Sequence, residues 1–201
     1  AVLMSDRLSV VDNPEVKRVA APLIQAIDRA INLCTQTLNY ARDEGPQLTH
    51  TRFRLHALID EIASDLSVLS DGESDAPCSG PKVVNEVPLD TIVEADRDQI
   101  YRVFANLGRN AFEAGARSAV ISLASPKGTD LLVDISDDGP GLAQAARESL
   151  FKPFKGSARQ GGTGLGLVIA RDVMQAHGGD LEMVSSGDDG TVFRLTFRSE
   201  S

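Results

Sequence analysis

The most informative stretch of the sequence, residues 161–179, reads GGTGLGLVIARDVMQAHGG and joins a glycine cluster directly to an amphipathic helix pattern. Glycine-rich turns ahead of a helix can bind phosphate through backbone N–H groups and the helix N-terminus. A dinucleotide-binding turn would follow an apolar strand, but the preceding residues, FKPFKGSARQ, are polar and basic. A Walker A loop is also excluded, because no Lys followed by Ser or Thr closes the glycine run. The stretch therefore predicts a flexible basic flap that closes on a polyphosphate.

Composition narrows the classes of protein to which the chain can belong. Its 201 residues are 42% hydrophobic, enough for one core and a smaller appendage. A net charge of -9 repels a phosphate backbone, so we expect no nucleic acid partner. Cys34 and Cys78 lie far apart without metal-ligand spacing, and no apolar run is long enough to span a membrane. We expect a cytoplasmic chain that has no disulfide and does not itself contact a membrane.

The first 45 residues predict a helical hairpin. Asp12, Asn13 and Pro14 supply a helix stop, an N-cap and a first-turn proline, and apolar residues recur at helical intervals from Val16 to Ala41. The wide apolar stripe indicates packing against more than one neighbour, as in a four-helix bundle. Gly45 and Pro46 then end the helix, and residues 46–52 are predicted to form a linker.

The remainder of the chain mixes strands and helices. Phe53 and Leu55 suggest a short strand, and the spacing of Leu55, Leu58, Ile59, Ile62 and Leu66 predicts a helix. KVVNEV and TIVEAD predict two short strands, and a helix from about Asp96 ends at Gly115. AVISLAS and DLLVDISD predict one strand pair, and LEMVSS and TVFRLTF a second.

Two further groups of residues suit nucleotide binding. In DISDDGPGL, Asp137 ends a strand and Gly139 and Gly141 turn the chain. A half-buried carboxylate there could accept a hydrogen bond from an exocyclic amine, although such a residue is usually a surface turn residue. Asn110, on the preceding helix, could place its amide oxygen on Mg²⁺, or simply decorate the helix.

Together these motifs resemble a known family. NLGRNAFEA, DDGPG, FKPF and GTGLGL, followed by HGG and by Gly190-Thr191, are similar to the N, G1, F and G2 boxes of the sensor histidine kinase ATPase domain. DNA gyrase, the heat-shock chaperone ATPase and the mismatch-repair ATPases share this superfamily. The resemblance implies that residues 53–201 form an α+β, Bergerat-type α/β sandwich, in which a mixed sheet is backed by three helices and ATP lies on the helical side.

The N-terminal hairpin, residues 1–45, is similar to part of a dimerisation and histidine-phosphotransfer domain. Its DNP turn and its long helix ending in LNYAR carry this second resemblance. Gyrase-like relatives lack such a hairpin, so it favours a histidine kinase. The resemblance implies a homodimer formed through the hairpin and, as a partner, the receiver domain of a response regulator.

The resemblance also implies the roles of individual residues. Asn110 would be the Mg²⁺ ligand, Asp137 would bind the adenine amine, and Phe151 and Phe154 would anchor the flap. Arg109 and Lys155 are weaker candidates for phosphate contacts, because exposed positions are as common for these types. The complete set of expected ATP-binding residues is Asn106, Arg109, Asn110, Asp137, Gly139, Gly141, Phe151, Phe154, Lys155, Gly162, Thr163, Gly164, Leu165, Gly166 and Thr191.

Two positions depart from the family pattern. Glu113 stands where many sensor kinases carry a lysine, so a phosphate contact is lost there, which Arg109 could replace. Hydrolysing relatives carry a glutamate base at the position of Asn106, and an asparagine cannot act as a base. The sequence therefore predicts slow ATP hydrolysis with phosphoryl transfer preserved.

No histidine of the chain fits the phosphoryl acceptor of the family. That residue lies on the first hairpin helix and is normally followed by an acidic residue, whereas His50, His56 and His177 lie elsewhere and precede neither Asp nor Glu. Because the first helix begins abruptly, we expect the acceptor to lie upstream, so that this chain cannot phosphorylate itself.

Two other functions remain open. A dimeric phosphotransfer scaffold that does not bind nucleotide would share the hairpin, but it predicts decayed motifs, whereas Asn110, Asp137 and GTGLGL are intact. A serine kinase of the anti-sigma type is disfavoured because it gives the hairpin no role.

Overall fold

The computed structural model describes residues 48–68, 80–125, 129–152 and 165–198. All of them belong to one compact unit. The predicted hairpin of residues 1–45 and both cysteines, Cys34 and Cys78, lie outside the described residues. The division of the chain into hairpin, linker and ATP-binding domain therefore stays a prediction.

Within this part of the chain, strands and helices follow one another in a mixed α+β order. The strands are β1 (Thr51–Arg54), β2 (Lys82–Asn85), β3 (Ile92–Ala95), β4 (Ser118–Leu123), β5 (Leu131–Asp137), β6 (Asp180–Gly187) and β7 (Gly190–Phe197). The helices are α1 (Leu55–Val68), α2 (Arg97–Ala114), the short α3 (Gln144–Arg147) and α4 (Gly166–Ala176).

The larger sheet is mixed, as predicted. Its five strands lie in the order β2-β4-β5-β7-β6, with β2 parallel to β4 and the other neighbours antiparallel. β1 and β3 pair with each other in a separate antiparallel sheet. The two strands that flank Pro88 in the sequence therefore belong to different sheets.

Helices α1, α2 and α4 form a layer on one face of the larger sheet. α1 contacts β2, α2 contacts β4 and β5, α4 contacts β6 and β7, and α2 contacts both other helices. Alternate strand residues point into this layer, because side chains alternate along a strand. These inward residues include Ile121, Val133, Ile135, Leu181, Phe193 and Leu195, all of them buried in the core.

Most of the predicted elements are confirmed, and one boundary is wrong. Leu55 was assigned both to a short strand and to the following helix; β1 ends at Arg54 and Leu55 is the first residue of α1, so only the helix assignment is confirmed. Its side chain is fully buried as the first member of the apolar stripe of the helix, and this packing outweighs its strand-like spacing to Phe53. α2 ends at Gly115, as predicted.

Candidate nucleotide-binding site

Asp137 ends β5 on the face of the sheet that carries the helices. Inward residues of this strand are Val133 and Ile135, so strand alternation turns Asp137 to the same side. It is the last strand residue, and the side chain is half-buried. The sequence prediction that Asp137 ends an apolar strand is confirmed.

Backbone N–H groups hold one carboxylate oxygen of Asp137. Oδ1 accepts from the N–H of Gly139 at 2.9 Å and from the N–H of Thr191 at 3.3 Å. Burial raises the pKa of Asp137 above its ordinary value, and these two hydrogen bonds only partly oppose that rise. Among the described residues no cation forms an ion pair with this carboxylate. Oδ2 is thus left to accept a hydrogen bond from a ligand.

Thr191 lies beside this carboxylate at the start of β7. It is the buried polar residue of the described core, 4% exposed. Its Oγ1 lies 3.0 Å from Oγ of Ser186 on β6. The Ser186 Oγ also accepts a hydrogen bond from the N–H of Leu142 at 2.8 Å. Asp137, Thr191 and Ser186 thus form one polar cluster at the end of the sheet, which we take as the candidate binding pocket.

The two glycines after Asp137 shape the pocket wall. A Cβ at Gly139 would lie 2.8 Å from Oδ1 of Asp137, so any side chain would displace the carboxylate. Gly141 has φ +71°, and a Cβ there would lie 2.2 Å from the carbonyl oxygen of Gly187. Gly141 is thus explained by close packing on the β6–β7 turn, and its predicted approach to a base stays a prediction.

Asn106 and Asn110 lie one turn apart on α2. Nδ2 of Asn106 donates to the carbonyl oxygen of Gly166 at 2.8 Å, which ties α2 to the first residue of α4. Asn110 is partly exposed and, four residues on, lies on the same side of the helix. Its predicted role as a Mg²⁺ ligand stays a prediction.

Other predicted residues lie on the margin of this site. Arg109 and Glu113 are exposed on α2. Leu165, at the N-cap of α4, is 1% exposed as a whole residue, so its predicted contact with a ligand stays a prediction. A Cβ at Gly166 would lie 2.9 Å from Nδ2 of Asn106, so glycine permits the contact between the two helices.

Phe151 packs partly against the core, and its predicted role as an anchor of the flap stays a prediction. The guanidinium carbon of Arg171, on α4, lies 4.6 Å from the centre of its ring. Arg171 also binds both carboxylate oxygens of Asp180, at 2.9 and 3.2 Å. Predicted residues that lie outside the described part of the chain are Phe154, Lys155, Gly162, Thr163 and Gly164.

Sequence reasoning missed Ser186 and Asp138. Oδ1 of Asp138 accepts the N–H groups of Arg117 and Ser118 at 2.7 and 2.8 Å, which holds the turn after β5 against the start of β4. Ser186 could have been found by counting back across the turn from Thr191, because Gly187 pairs with Gly190. Asp138 lies within the DDGPG motif but was given no role, and no local motif marks Ser186.

This site is built by residues that match a known family model. Residues 95–201 match the model described as histidine kinase-, DNA gyrase B-, and HSP90-like ATPase. The chain belongs to this ATPase family. Its mixed sheet, three-helix layer and carboxylate at the end of β5 are the parts of that ATPase domain which the structure describes.

Relatives of this ATPase domain are named as sensor kinases. The sensor histidine kinase ZraS of Escherichia coli strain K12 is 33% identical over 104 residues, covering 51% of this chain and 22% of that protein. The sensory histidine kinase/phosphatase NtrB of Escherichia coli O157:H7 is 29% identical over 187 residues, covering 86% of this chain and 50% of that protein. The chain thus spans about a fifth to a half of the length of these relatives.

Solved structures show the same fold. The catalytic domain of histidine kinase ThkA is 29% identical and covers 74% of this chain and 95% of that one, with a TM-score of 0.61. ThkA in complex with the response regulator protein TrrA is 26% identical and covers 96% of this chain and 55% of that one, with a TM-score of 0.70. The described unit is therefore an ATP-binding catalytic domain of the histidine kinase type.

Neither a membrane-spanning helix nor a cluster of metal ligands is present among the described residues. None of their helices is long and apolar enough to cross a membrane. Nor do these residues bring together three or more His, Cys, Asp or Glu side chains that could hold a metal ion.

Proposed function

We propose that this chain is the ATP-binding catalytic core of a sensor histidine kinase, which transfers the γ-phosphoryl group of ATP to a histidine. The observation that carries the proposal is the carboxylate of Asp137. It is half-buried, its Oδ1 is held by two backbone N–H groups, and Oδ2 is left to accept a hydrogen bond. A desolvated acceptor without a counter-ion costs stability, which is typical of ligand sites.

In this proposal Asp137 selects the base and Asn110 holds the metal. Oδ2 of Asp137 accepts from the exocyclic amine of adenine, which guanine does not offer at that position. The amide oxygen of Asn110 would be the protein ligand of Mg²⁺, which neutralises phosphate charge when bound. Gly162, Thr163 and Gly164, with the backbone of Leu165 and Gly166 at the start of α4, would contact the phosphates.

The side chain of Asn106 is the reason to expect slow ATP hydrolysis. Its Nδ2 donates to Gly166, so the side chain is held as a link between α2 and α4. An amide cannot take a proton from water as a carboxylate base does. We therefore expect phosphoryl transfer to histidine to exceed transfer to water, and a fast ATPase rate in the isolated chain would contradict this assignment.

The acceptor and the partner are further parts of the proposal. The acceptor is a histidine outside this chain, because His50, His56 and His177 lack the expected acidic neighbour. The next acceptor is an aspartate on a response regulator receiver domain, a proposal supported by the ThkA–TrrA complex. Residues 1–45 would form a homodimer through the hairpin, and the domain would act in the cytoplasm.

Calorimetric titration of Mg-ATP into the chain tests the proposal. We expect binding by the unmodified chain, binding weakened on the order of 100-fold in Asp137→Asn, and weaker or magnesium-independent binding in Asn110→Ala. Asp134→Asn is the matched control, because it changes the same residue type on the opposite face of β5. Absence of binding by the unmodified chain would overturn the proposal in favour of a phosphotransfer scaffold without nucleotide.

A further inference from the structure

We propose that Ser186 is a positioning residue for base recognition, which turns the hydroxyl proton of Thr191 toward the purine. The proposal rests on the proposed function, since it concerns the same ATP site. Its basis is the contact of two hydroxyl oxygens, Ser186 Oγ and Thr191 Oγ1, at 3.0 Å beside Asp137.

A register shift in β6 brings Ser186 into the pocket. Leu181 and Met183 pair with Leu195 and Phe193 of β7, but a β-bulge between Met183 and Ser185 adds one residue to the strand. After it, Ser185 pairs with Val192 and Ser186 with Thr191. Because paired residues share a face, the bulge turns Ser186, rather than Ser185, toward the helix layer. Bulges often re-aim a side chain beside a functional site.

Either hydroxyl can donate in the contact between Ser186 and Thr191, and we take Ser186 as the donor. Oγ of Ser186 accepts the N–H of Leu142, a group that can only donate. Ser186 has its own proton to give, and Thr191 Oγ1 is the acceptor that the described residues offer it. If Ser186 donates to Thr191, both oxygens use their capacity and the proton of Thr191 is free to point into the pocket.

The resulting pair of groups is the complement of adenine. With Ser186 as the donor, Asp137 Oδ2 would present an acceptor to the ligand and the hydroxyl of Thr191 would present a donor. Adenine offers the reverse, a donor at its exocyclic amine and an acceptor at N1. Guanine carries an oxygen at the first position and N1–H at the second, so both contacts would fail. Ser186 would thus raise affinity for adenine without touching the nucleotide.

An analogue that lacks the N1 acceptor isolates this contact. We would measure dissociation constants of Mg-ATP and Mg-1-deaza-ATP for the full 201-residue chain and for Ser186→Ala. We expect the unmodified chain to prefer ATP by roughly 3- to 10-fold, the range of one neutral hydrogen bond. In Ser186→Ala this preference should fall toward one, because ATP binding weakens more than binding of the analogue.

Matched variants separate positioning from a structural role. Ser185→Ala, on the exposed neighbour, should leave both affinities unchanged, and Ser186→Thr, which keeps the hydroxyl, should restore the preference. Should Ser186→Ala not fold, Thr191→Val removes the donor itself and should abolish the preference. Equal weakening of ATP and 1-deaza-ATP, or no change in either, would overturn the assignment of Ser186. Failure of the unmodified chain to bind ATP would instead overturn the proposed function.

Discussion

The two faces of β5 hold carboxylates in opposite electrostatic situations. Asp134 points away from the helices and pairs with Arg194 directly across the sheet, with both nitrogen–oxygen distances at 2.7 Å. Asp137, three positions later, faces the helix side and forms no ion pair among the described residues. Asp134, which stabilises the sheet, therefore has its counter-ion. Asp137, which is proposed to bind a ligand, keeps an acceptor oxygen for it.

The same contrast extends to the residue after Asp137. The N–H groups of Ser118 and Arg117 hold the pKa of Asp138 below its usual range, whereas burial raises the pKa of Asp137. Adjacent residues of one type thus contribute to stability with opposite sign. Asp138 stabilises the turn when ionised, and ionised Asp137 costs stability.

The largest expected effect on stability and ATP binding comes from adding a side chain at Gly190, beside the end of β5. Gly190 has φ +120°, and a Cβ there would lie 1.8 Å from the carbonyl oxygen of Asp137. We expect Gly190→Ala to lower the free energy of unfolding by about 3 kcal/mol or more and to abolish ATP binding, because β7 must move away from Asp137. Urea unfolding and ATP titration would measure both.

Gly115→Ala is the control for backbone strain alone. Gly115 has φ +104° with no atom within 4 Å of a built Cβ. We expect this variant to cost about 1 kcal/mol and to bind ATP normally. Equal costs for the two variants would show that crowding at Asp137 is unimportant.

The second largest effect concerns the acceptor itself. Asp137→Asn should weaken ATP binding on the order of 100-fold, because the amide presents less charge to the amine and can place a donor there. The free energy of unfolding should not fall, since a half-buried charge has been removed. Titration and denaturant unfolding of the same samples would check this. A variant that bound poorly because it was unstable would contradict the comparison.

Local sequence patterns predicted most of these elements, because apolar periodicity and turn residues such as Gly and Pro act over few residues. The helix that ends at Gly115 and the pair of β6 and β7 follow from apolar spacing and turn residues. The pairing of β1 with β3, and of β2 with β4, was not predictable, because long-range register leaves no local signature. Leu55 shows that a local pattern can also be ambiguous, since its burial in the core places it in α1 rather than in β1.

The site was predictable only where chemistry and a motif coincide. Asp137 and Thr191 lie in recognisable glycine-rich turns, and the structure brings them within 3.3 Å of each other. Ser186 was missed because the apolar alternation of β6 points to Ser185, and a bulge after Met183 breaks that alternation; only the pairing counted back from the turn places Ser186 opposite Thr191. Asn106 was expected to line the pocket, and this stays a prediction. Its hydrogen bond to Gly166 was not predictable, because the two residues lie 60 positions apart in the sequence.

A smaller effect is expected on the outer face of the sheet. Asp134 and Arg194 are 19% and 21% exposed, so Arg194→Met should lower the free energy of unfolding by about 1 kcal/mol. ATP affinity should not change, because the pair lies on the face opposite Asp137. Arg52→Met, in an ion pair that is 73% and 60% exposed, should change neither quantity. Reduced ATP affinity in Arg194→Met would break the proposed separation of the two faces.

The smallest effect is the pH dependence that distinguishes Asp137 from its neighbours. Because burial raises its pKa, the folded state takes up the proton of Asp137 at higher pH than the unfolded chain does. The contribution of this carboxyl to stability therefore rises as pH falls through its folded pKa, opposite in sign to that of Asp138. Asp137→Asn should thus be more stable than the unmodified chain near neutral pH, and this advantage should shrink on acidification. Denaturant unfolding of both proteins at about pH 7 and about pH 5 would measure the change, and an advantage that grew in acid would mean that the charge of Asp137 is stabilised.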